Sequence, residues 1–259
     1  MLWYLRLIAV ALLVVQTRVA AIGQTTDELA GCVAFLRQNV TGAAEANVGS
    51  GFLVQVNDTP FLVTAAHVAR AVGADWTLVL QGGDGKPATV RMQNAAWKFS
   101  ANHDVAVLLL NVVESQKSFV LGRSLPVKVL SSRDLPPSRD VTLTVMGFPL
   151  GVGVEGYVSP LSLETKAASG FITLHRFDTK TPATFILLQH PSVGGLSGGP
   201  VFDTGLPNFG VGRQIVVRQG LSLVGLIHGE LTDRNVGKLA AVVPSSEITP
   251  LLQSSEMKR

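Results

Sequence analysis

The residue best suited to chemistry in this chain is a serine set among glycines, in Gly194-Gly195-Leu196-Ser197-Gly198-Gly199-Pro200. A nucleophilic hydroxyl needs open space for an incoming carbonyl, and backbone N–H groups beside it must face the oxyanion that develops, a conformation that side chains obstruct. The N–H groups of Gly195 and Ser197 are the expected donors. Serine is a weak nucleophile near neutral pH and needs a base whose pKa lies near 7, which points to histidine. Thr64-Ala65-Ala66-His67-Val68 offers one at the end of an apolar stretch, among small residues. Asn102-His103-Asp104-Val105 offers a carboxylate at the mouth of another, where it can accept the imidazole N–H, fix the tautomer and stabilise the imidazolium. Taken singly, each segment would be ordinary: a glycine turn, a core or surface histidine, an aspartate at a strand entry.

The elements that must carry these residues read as short strands. Gly51 to Val56, Pro60 to Thr64, Trp76 to Leu80, Ala88 to Met92 and Val105 to Leu110 form a first series, broken by turn signals such as Asn57-Asp58 and Gly82-Gly83-Asp84-Gly85. A polar, proline-bearing stretch from Ser115 to Pro137 separates a second series: Val141 to Met146, Gly170 to Leu174, Ala183 to Leu188, Pro200 to Phe202, Gln214 to Val217, Leu221 to Ile227 and Leu239 to Val243. Pro244 to Gln253 predicts a short closing helix. The pattern predicts an all-β fold of two packed six-stranded antiparallel barrels, residues 22–118 and 119–259, in which closure removes exposed sheet edges. His67 and Asp104 then belong to the first half and Ser197 to the second, which suits a site in the cleft between them.

In this order the segments resemble the trypsin-like serine peptidases, whose chain order is histidine, aspartate, serine. The resemblance extends to Gly49-Ser50-Gly51-Phe52, to Gly147-Phe148-Pro149-Leu150-Gly151, which is similar to a turn of the bacterial HtrA-like branch, and to Ser169-Gly170-Phe171-Ile172. It implies a catalytic triad of His67, Asp104 and Ser197, an acyl-enzyme mechanism and a polypeptide substrate. Against the pattern, Leu196 replaces the aspartate with which digestive members bind a newly cut N-terminus, so no zymogen activation of that kind is implied. A leucine also cannot hydrogen-bond to hold the oxyanion loop. The chain is expected to lack the PDZ domain that HtrA-type proteases carry. The resemblance places the primary specificity pocket between Gln189 to Val193 and Gly225 to Glu230, with His190, His228 and Gly229 beside the substrate. No aspartate lies in the pocket-floor stretch, which argues against a preference for Arg and Lys; a small apolar pocket is preferred over one that accepts acidic residues, because Glu230 nearby disfavours an acidic side chain.

Composition narrows the rest. The chain has 259 residues, 47% hydrophobic and 15% charged, enough to bury a substantial core. The net charge of +3 comes from scattered residues, so a nucleic-acid partner is not expected. There is no Cys/His cluster at ligand spacing and no phosphate-cradling glycine loop, so neither a metal nor an organic cofactor is expected. Arg6, the nine-residue apolar run Leu7 to Val15 and the small residues Val19-Ala20-Ala21 form a signal-peptide layout. The run is well short of the roughly 20 residues that span a bilayer, so cleavage after Ala21 and export to the periplasm or medium are expected, with no membrane partner afterwards. Cys32, in Leu29-Ala30-Gly31-Cys32, resembles a lipid-attachment cysteine but lies too far beyond the apolar run; it reads as a small buried residue. Because fold does not fix function, the alternative is a catalytically silent trypsin-fold binding protein, whose usual mark is a lost triad member; all three are present here.

Overall fold

The computed structural model describes residues 26–39, 48–130, 135–204, 220–232 and 238–256. The expected signal peptide (1–21), the strand Gln214 to Val217 and most of the insertion between Phe202 and Leu221 lie outside them. The first half contains a short helix α1 (Thr26–Ala30), then β1 (Val33–Gln38), β2 (Val48–Val56), β3 (Thr59–Thr64), helix α2 (Ala66–Ala71), β4 (Asp75–Gln81), β5 (Pro87–Gln93), β6 (Lys98–Phe99), β7 (Ala106–Leu109), helix α3 (Glu114–Leu121) and β8 (Leu125–Pro126). The second half is built from β9 (Leu143–Gly147), β10 (Leu161–Thr165), β11 (Ala167–His175), β12 (Pro182–Leu188), β13 (Pro200–Asp203), β14 (Ser222–Thr232), β15 (Lys238–Pro244) and a C-terminal helix α4 (Thr249–Glu256).

The strands form two sheets, as the all-β expectation requires. The first runs β5-β4-β1-β2-β3-β7-β6, all antiparallel, with β8 added in parallel to β2. Its extra members are β6 and β8, two residues each, and β8 lies beyond residue 118, returning from the far side of α3. The second runs β10-β9-β13-β14-β15-β12-β11. Its outermost strands, β10 and β11, are joined by Lys166 alone, which brings the two ends of the sheet together. Bending a sheet back on itself shields its edges, the physical reason for expecting barrels. The turn signals form hairpins as read: Asn57 and Asp58 have φ of 46° and 58°, the positive pair that matches the strand twist in a tight two-residue turn.

Buried side chains fill both sheets, among them Phe35, Phe52, Phe61, Trp76, Phe148, Phe185 and Phe202. Cys32 is buried there too, its thiol against the Glu28 carbonyl and pushed up to about 12 by loss of solvent. The halves are tied together at several points. Ser50 N–H on β2 donates to the Ser197 carbonyl (2.9 Å), Leu130 bridges Leu223, and α4 returns to the first sheet, where Lys98 Nζ donates to the Ser254 carbonyl (3.0 Å). No described helix is long and apolar enough to cross a membrane.

Candidate active site

Strand register brings His67 and Asp104 together. β3 pairs antiparallel with β7, Thr64 opposite Ala106, so the chain that leaves β3 and the chain that enters β7 diverge from one edge. β3 is buried at all six positions, which fixes that edge within the core. His67 lies three residues past Thr64, in the first turn of α2; Asp104 lies two before Ala106. Helix α2 has no capping side chain at Ala65, and its His67 N–H donates instead to Asp104 Oδ1 (2.9 Å). The other carboxylate oxygen, Oδ2, lies 2.6 Å from His67 Nδ1. One aspartate thus caps the helix backbone and orients the ring that the helix carries. An ionised carboxylate can only accept, so Nδ1 holds the proton and Nε2 is left with a lone pair.

Asp104 is fully buried, and its charge is answered from three sides. Besides the two bonds from His67, Oδ2 accepts from His228 Nδ1 at 2.5 Å, and Arg176 Nη2 stands 3.6 Å from Oδ1. Arg176 is itself only 2% exposed and forms a bidentate pair with Asp178 (2.9 and 2.6 Å), which Arg70 approaches from the surface (3.3 Å). Burial pushes the Asp104 carboxyl up, but the hydrogen bonds from His228 and His67 outweigh it and hold the group well below the usual carboxylate range. Asp104 therefore stays ionised across the working pH of any neutral enzyme.

The Ser197 loop connects β12 to β13 and is built almost entirely by its backbone. Leu196 N–H donates to the Val193 carbonyl (3.0 Å) and Gly195 has φ +93°, the combination of a type II turn with glycine at its third position. A side chain at Gly195 would meet the Phe148 carbonyl at 2.5 Å. The Gly194 carbonyl accepts from Leu150 N–H (2.7 Å), and because carbonyl and N–H of one trans peptide point in opposite directions, the Gly195 N–H is turned away from Leu150. Among the described residues neither the Gly195 nor the Ser197 N–H has an acceptor in the chain. Ser50 pins the turn: its buried hydroxyl donates to the Gly195 carbonyl (2.7 Å) and accepts the Phe148 N–H (2.9 Å). Gly198 (φ +82°) lets the loop pass against the first sheet, where a Cβ would lie 2.2 Å from both the Ser50 carbonyl and Thr64 Oγ1. Ser197 Oγ is partly exposed and donates to the His228 carbonyl at 3.4 Å.

The trypsin-like peptidase domain family matches residues 49–206, more than half of the chain and a span that includes His67, Asp104 and Ser197. This chain belongs to that family. Among solved structures, this trypsin-like domain is similar to the active form of the Rv3671c protease from M. tuberculosis, with TM-score 0.57 and 18% identity over 88% of this chain and 82% of that one. It is also similar to the serine endoprotease from Yersinia pestis, with TM-score 0.54 and 16% identity over 90% of this chain and 67% of that one. At such identities the likeness establishes the fold. No curated protein matches the chain.

In this peptidase domain, then, His67 and Asp104 are in direct contact, and Ser197 joins their cluster through His228, whose carbonyl its hydroxyl touches. Among the described residues no hydrogen bond links Ser197 Oγ to His67. His228, expected beside the substrate side chain, is buried with its ring on Asp104. His190 is exposed, its N–H on Thr165 Oγ1 (3.3 Å), and Gly229 lies against Phe177, whose ring a Cβ there would meet at 2.6 Å. Leu196 needs no hydrogen bond to hold the loop: it is buried in the core of the second sheet, and Ser50 does the holding. Three residues escaped sequence reading as parts of the site. Ser50 carried a faint signal inside Gly-Ser-Gly, whereas Arg176 and Phe177, on the β11–β12 hairpin, carried none. His67, Asp104 and His228 are also the one set of described side chains close enough to share a metal ion. Their facing atoms are 2.5 and 2.6 Å apart, closer than the roughly 3.3 Å between ligands around a tetrahedral ion with bonds of about 2.0 Å, so the array is hydrogen-bonded as it stands.

Proposed function

We propose that this chain is a serine endopeptidase working through an acyl-enzyme, with Ser197 as nucleophile, His67 as general base and acid, and Asp104 as the group that orients and stabilises the imidazolium. The observation that carries the reading is the 2.6 Å contact of His67 Nδ1 with the buried, ionised Asp104, beside a glycine turn whose two N–H groups are uncommitted. His67 Nε2 takes the Ser197 proton as Oγ attacks the peptide carbonyl. The Gly195 and Ser197 N–H groups hold the oxyanion, and His67 then protonates the leaving amine. Water repeats the sequence on the acyl-enzyme. This mechanism requires a turn about the Ser197 Cα–Cβ bond that exchanges the long contact with the His228 carbonyl for one with His67; contacts of this kind are often loose before substrate binds. Polypeptide substrates follow from the family, with His190 and Gly229 nearest the substrate in this proposal.

The present pairing of Ser197 Oγ with the His228 carbonyl favours one second reading, a silent trypsin-fold binder. A fluorophosphonate probe separates the two. The peptidase reading expects labelling of Ser197, lost in Ser197→Ala, together with casein hydrolysis; absence of both in the wild type supports the binder. Export after cleavage at Ala21 is part of the proposal, and N-terminal sequencing of the mature protein should begin at Ile22; a start at Met1 contradicts it.

A further inference from the structure

The ring of His228 is more firmly placed than a core side chain requires. In β14 the pairing with β15 slips between Ile227 and Gly229, and such a bulge re-aims the side chain it carries. The His228 ring turns inward between Phe177 (centroids 4.3 Å apart) and Phe185 (4.9 Å). Both of its nitrogens are used. Nδ1 meets Asp104 Oδ2 at 2.5 Å, the same oxygen that His67 Nδ1 reaches at 2.6 Å, and Nε2 accepts the Phe177 N–H at 3.4 Å. Phe177 in turn sets its ring edge-on to His67, centroids 4.8 Å apart. Through its carbonyl, His228 also holds Ser197 Oγ.

We infer that His228 is a positioning residue for the triad: a second, neutral imidazole that shares Asp104 Oδ2 with His67, locks the carboxylate in place and limits how strongly it stabilises the His67 imidazolium. The inference rests on the triad reading above. Among the described residues, other ionisable groups around the array are Arg176 and Asp178 from the β11–β12 hairpin, Arg70 from α2, and the His103–Glu247 pair (3.1 Å). None of them makes the Oδ2 contact that His228 makes. A neutral donor on Oδ2 withdraws electron density without adding charge, so its removal strengthens the pull of Asp104 on a protonated His67.

Two substitutions divide the possibilities. His228→Phe keeps an aromatic ring between Phe177 and Phe185 but has no donor; His228→Asn puts an amide N–H near the place of Nδ1 and gives up the stacking. In His228→Phe, kcat on a peptide ester should fall about 10- to 100-fold with KM little changed, the scale of a lost bond to a charged group. The acidic limb of the kcat/KM profile should move to higher pH, and the titration of His67 followed by the ring-carbon NMR signal in a Ser197→Ala background should move up with it. His228→Asn should recover most of the turnover and return both readouts toward the wild type. A Phe variant with wild-type kcat and an unmoved His67 titration overturns the inference, as does an Asn variant as impaired as the Phe variant. The wild type supplies a test that needs no substitution at 228: two low-field N–H protons, one per histidine, both lost in Asp104→Asn. A single such proton also overturns it. A wild type without peptidase activity in which His67 still responds to His228→Phe counts against the peptidase reading and for this one.

Discussion

Replacing Ser50 by alanine removes one buried oxygen and two hydrogen bonds. The hydroxyl donates to the Gly195 carbonyl (2.7 Å) and accepts the Phe148 N–H (2.9 Å), and the residue is 0% exposed, so water cannot stand in. Two backbone groups would be left without partners, at about 1–3 kcal/mol each, or about 2–6 kcal/mol together. At about 2–4 °C per kcal/mol for a protein of this size, Tm should fall by roughly 5–20 °C. The Gly195–Leu196 peptide, which carries the Gly195 carbonyl, would keep the turn bond from Leu196 N–H to Val193, and the Gly194–Gly195 peptide, whose N–H is the oxyanion donor, the bond from Leu150. Complete loss of one oxyanion donor costs about 100- to 1,000-fold in kcat, and a loosened donor part of that, so acylation should slow about 10- to 100-fold. Calorimetry reads the first effect, and pre-steady-state release of a chromophore from an activated ester reads the second, with KM almost unchanged. A Ser50→Ala protein that melts within 2 °C of the wild type and acylates at the same rate would refute the claim that this hydroxyl pins the turn.

Asp104→Asn should leave the fold intact but present the wrong hydrogen-bonding pattern to His67, lowering kcat at pH 7 by about 10³- to 10⁴-fold in a steady-state assay. Asp104 and Asp178 are both held below their usual range, so their contribution to stability is complete above an unfolded pKa of about 4 and is lost as pH falls toward the folded value. Denaturation followed from pH 6 to pH 2 should show that loss, and Asp104→Asn should flatten it. Arg176→Met leaves Asp104 and Asp178 facing each other without a buried cation, and should cost about 3–5 kcal/mol in chemical denaturation. Cys32, with its thiol pushed up to about 12, should resist alkylation at pH 8 in the native protein and react once the chain is unfolded.

The parts of this site that could be read from the chain are those whose signal is local. Ser197 stands inside its own glycine turn, and the apolar segments around His67 and Asp104 mark a strand end and a strand start, so each could be found within about ten residues of itself. The strands β2, β3, β4 and β12 were legible for the same reason, because short apolar runs bounded by turn residues act over one element. What could not be read depends on distant pairs. His228 finds Asp104 from 124 residues away, and a bulge, which leaves no compositional trace, decides that its ring points inward. Arg176 looks like any surface arginine until the hairpin that carries it folds over Asp104. Helix α3 fell inside a stretch read only as a polar linker, because just Val120 in it is buried and no apolar face announces it. The second sheet's β10 was missed because Leu161 and Leu163 are its only apolar side chains and a single residue, Lys166, separates it from β11.

The most direct test of the central claim is a crystal structure of the protein after reaction with a small fluorophosphonate. The adduct should sit on Ser197 Oγ, with its phosphoryl oxygen about 2.7–3.1 Å from both the Gly195 and Ser197 N–H groups and His67 Nε2 within hydrogen-bonding reach. Phosphorylation of another residue, or a phosphoryl oxygen turned away from those two N–H groups, would contradict it.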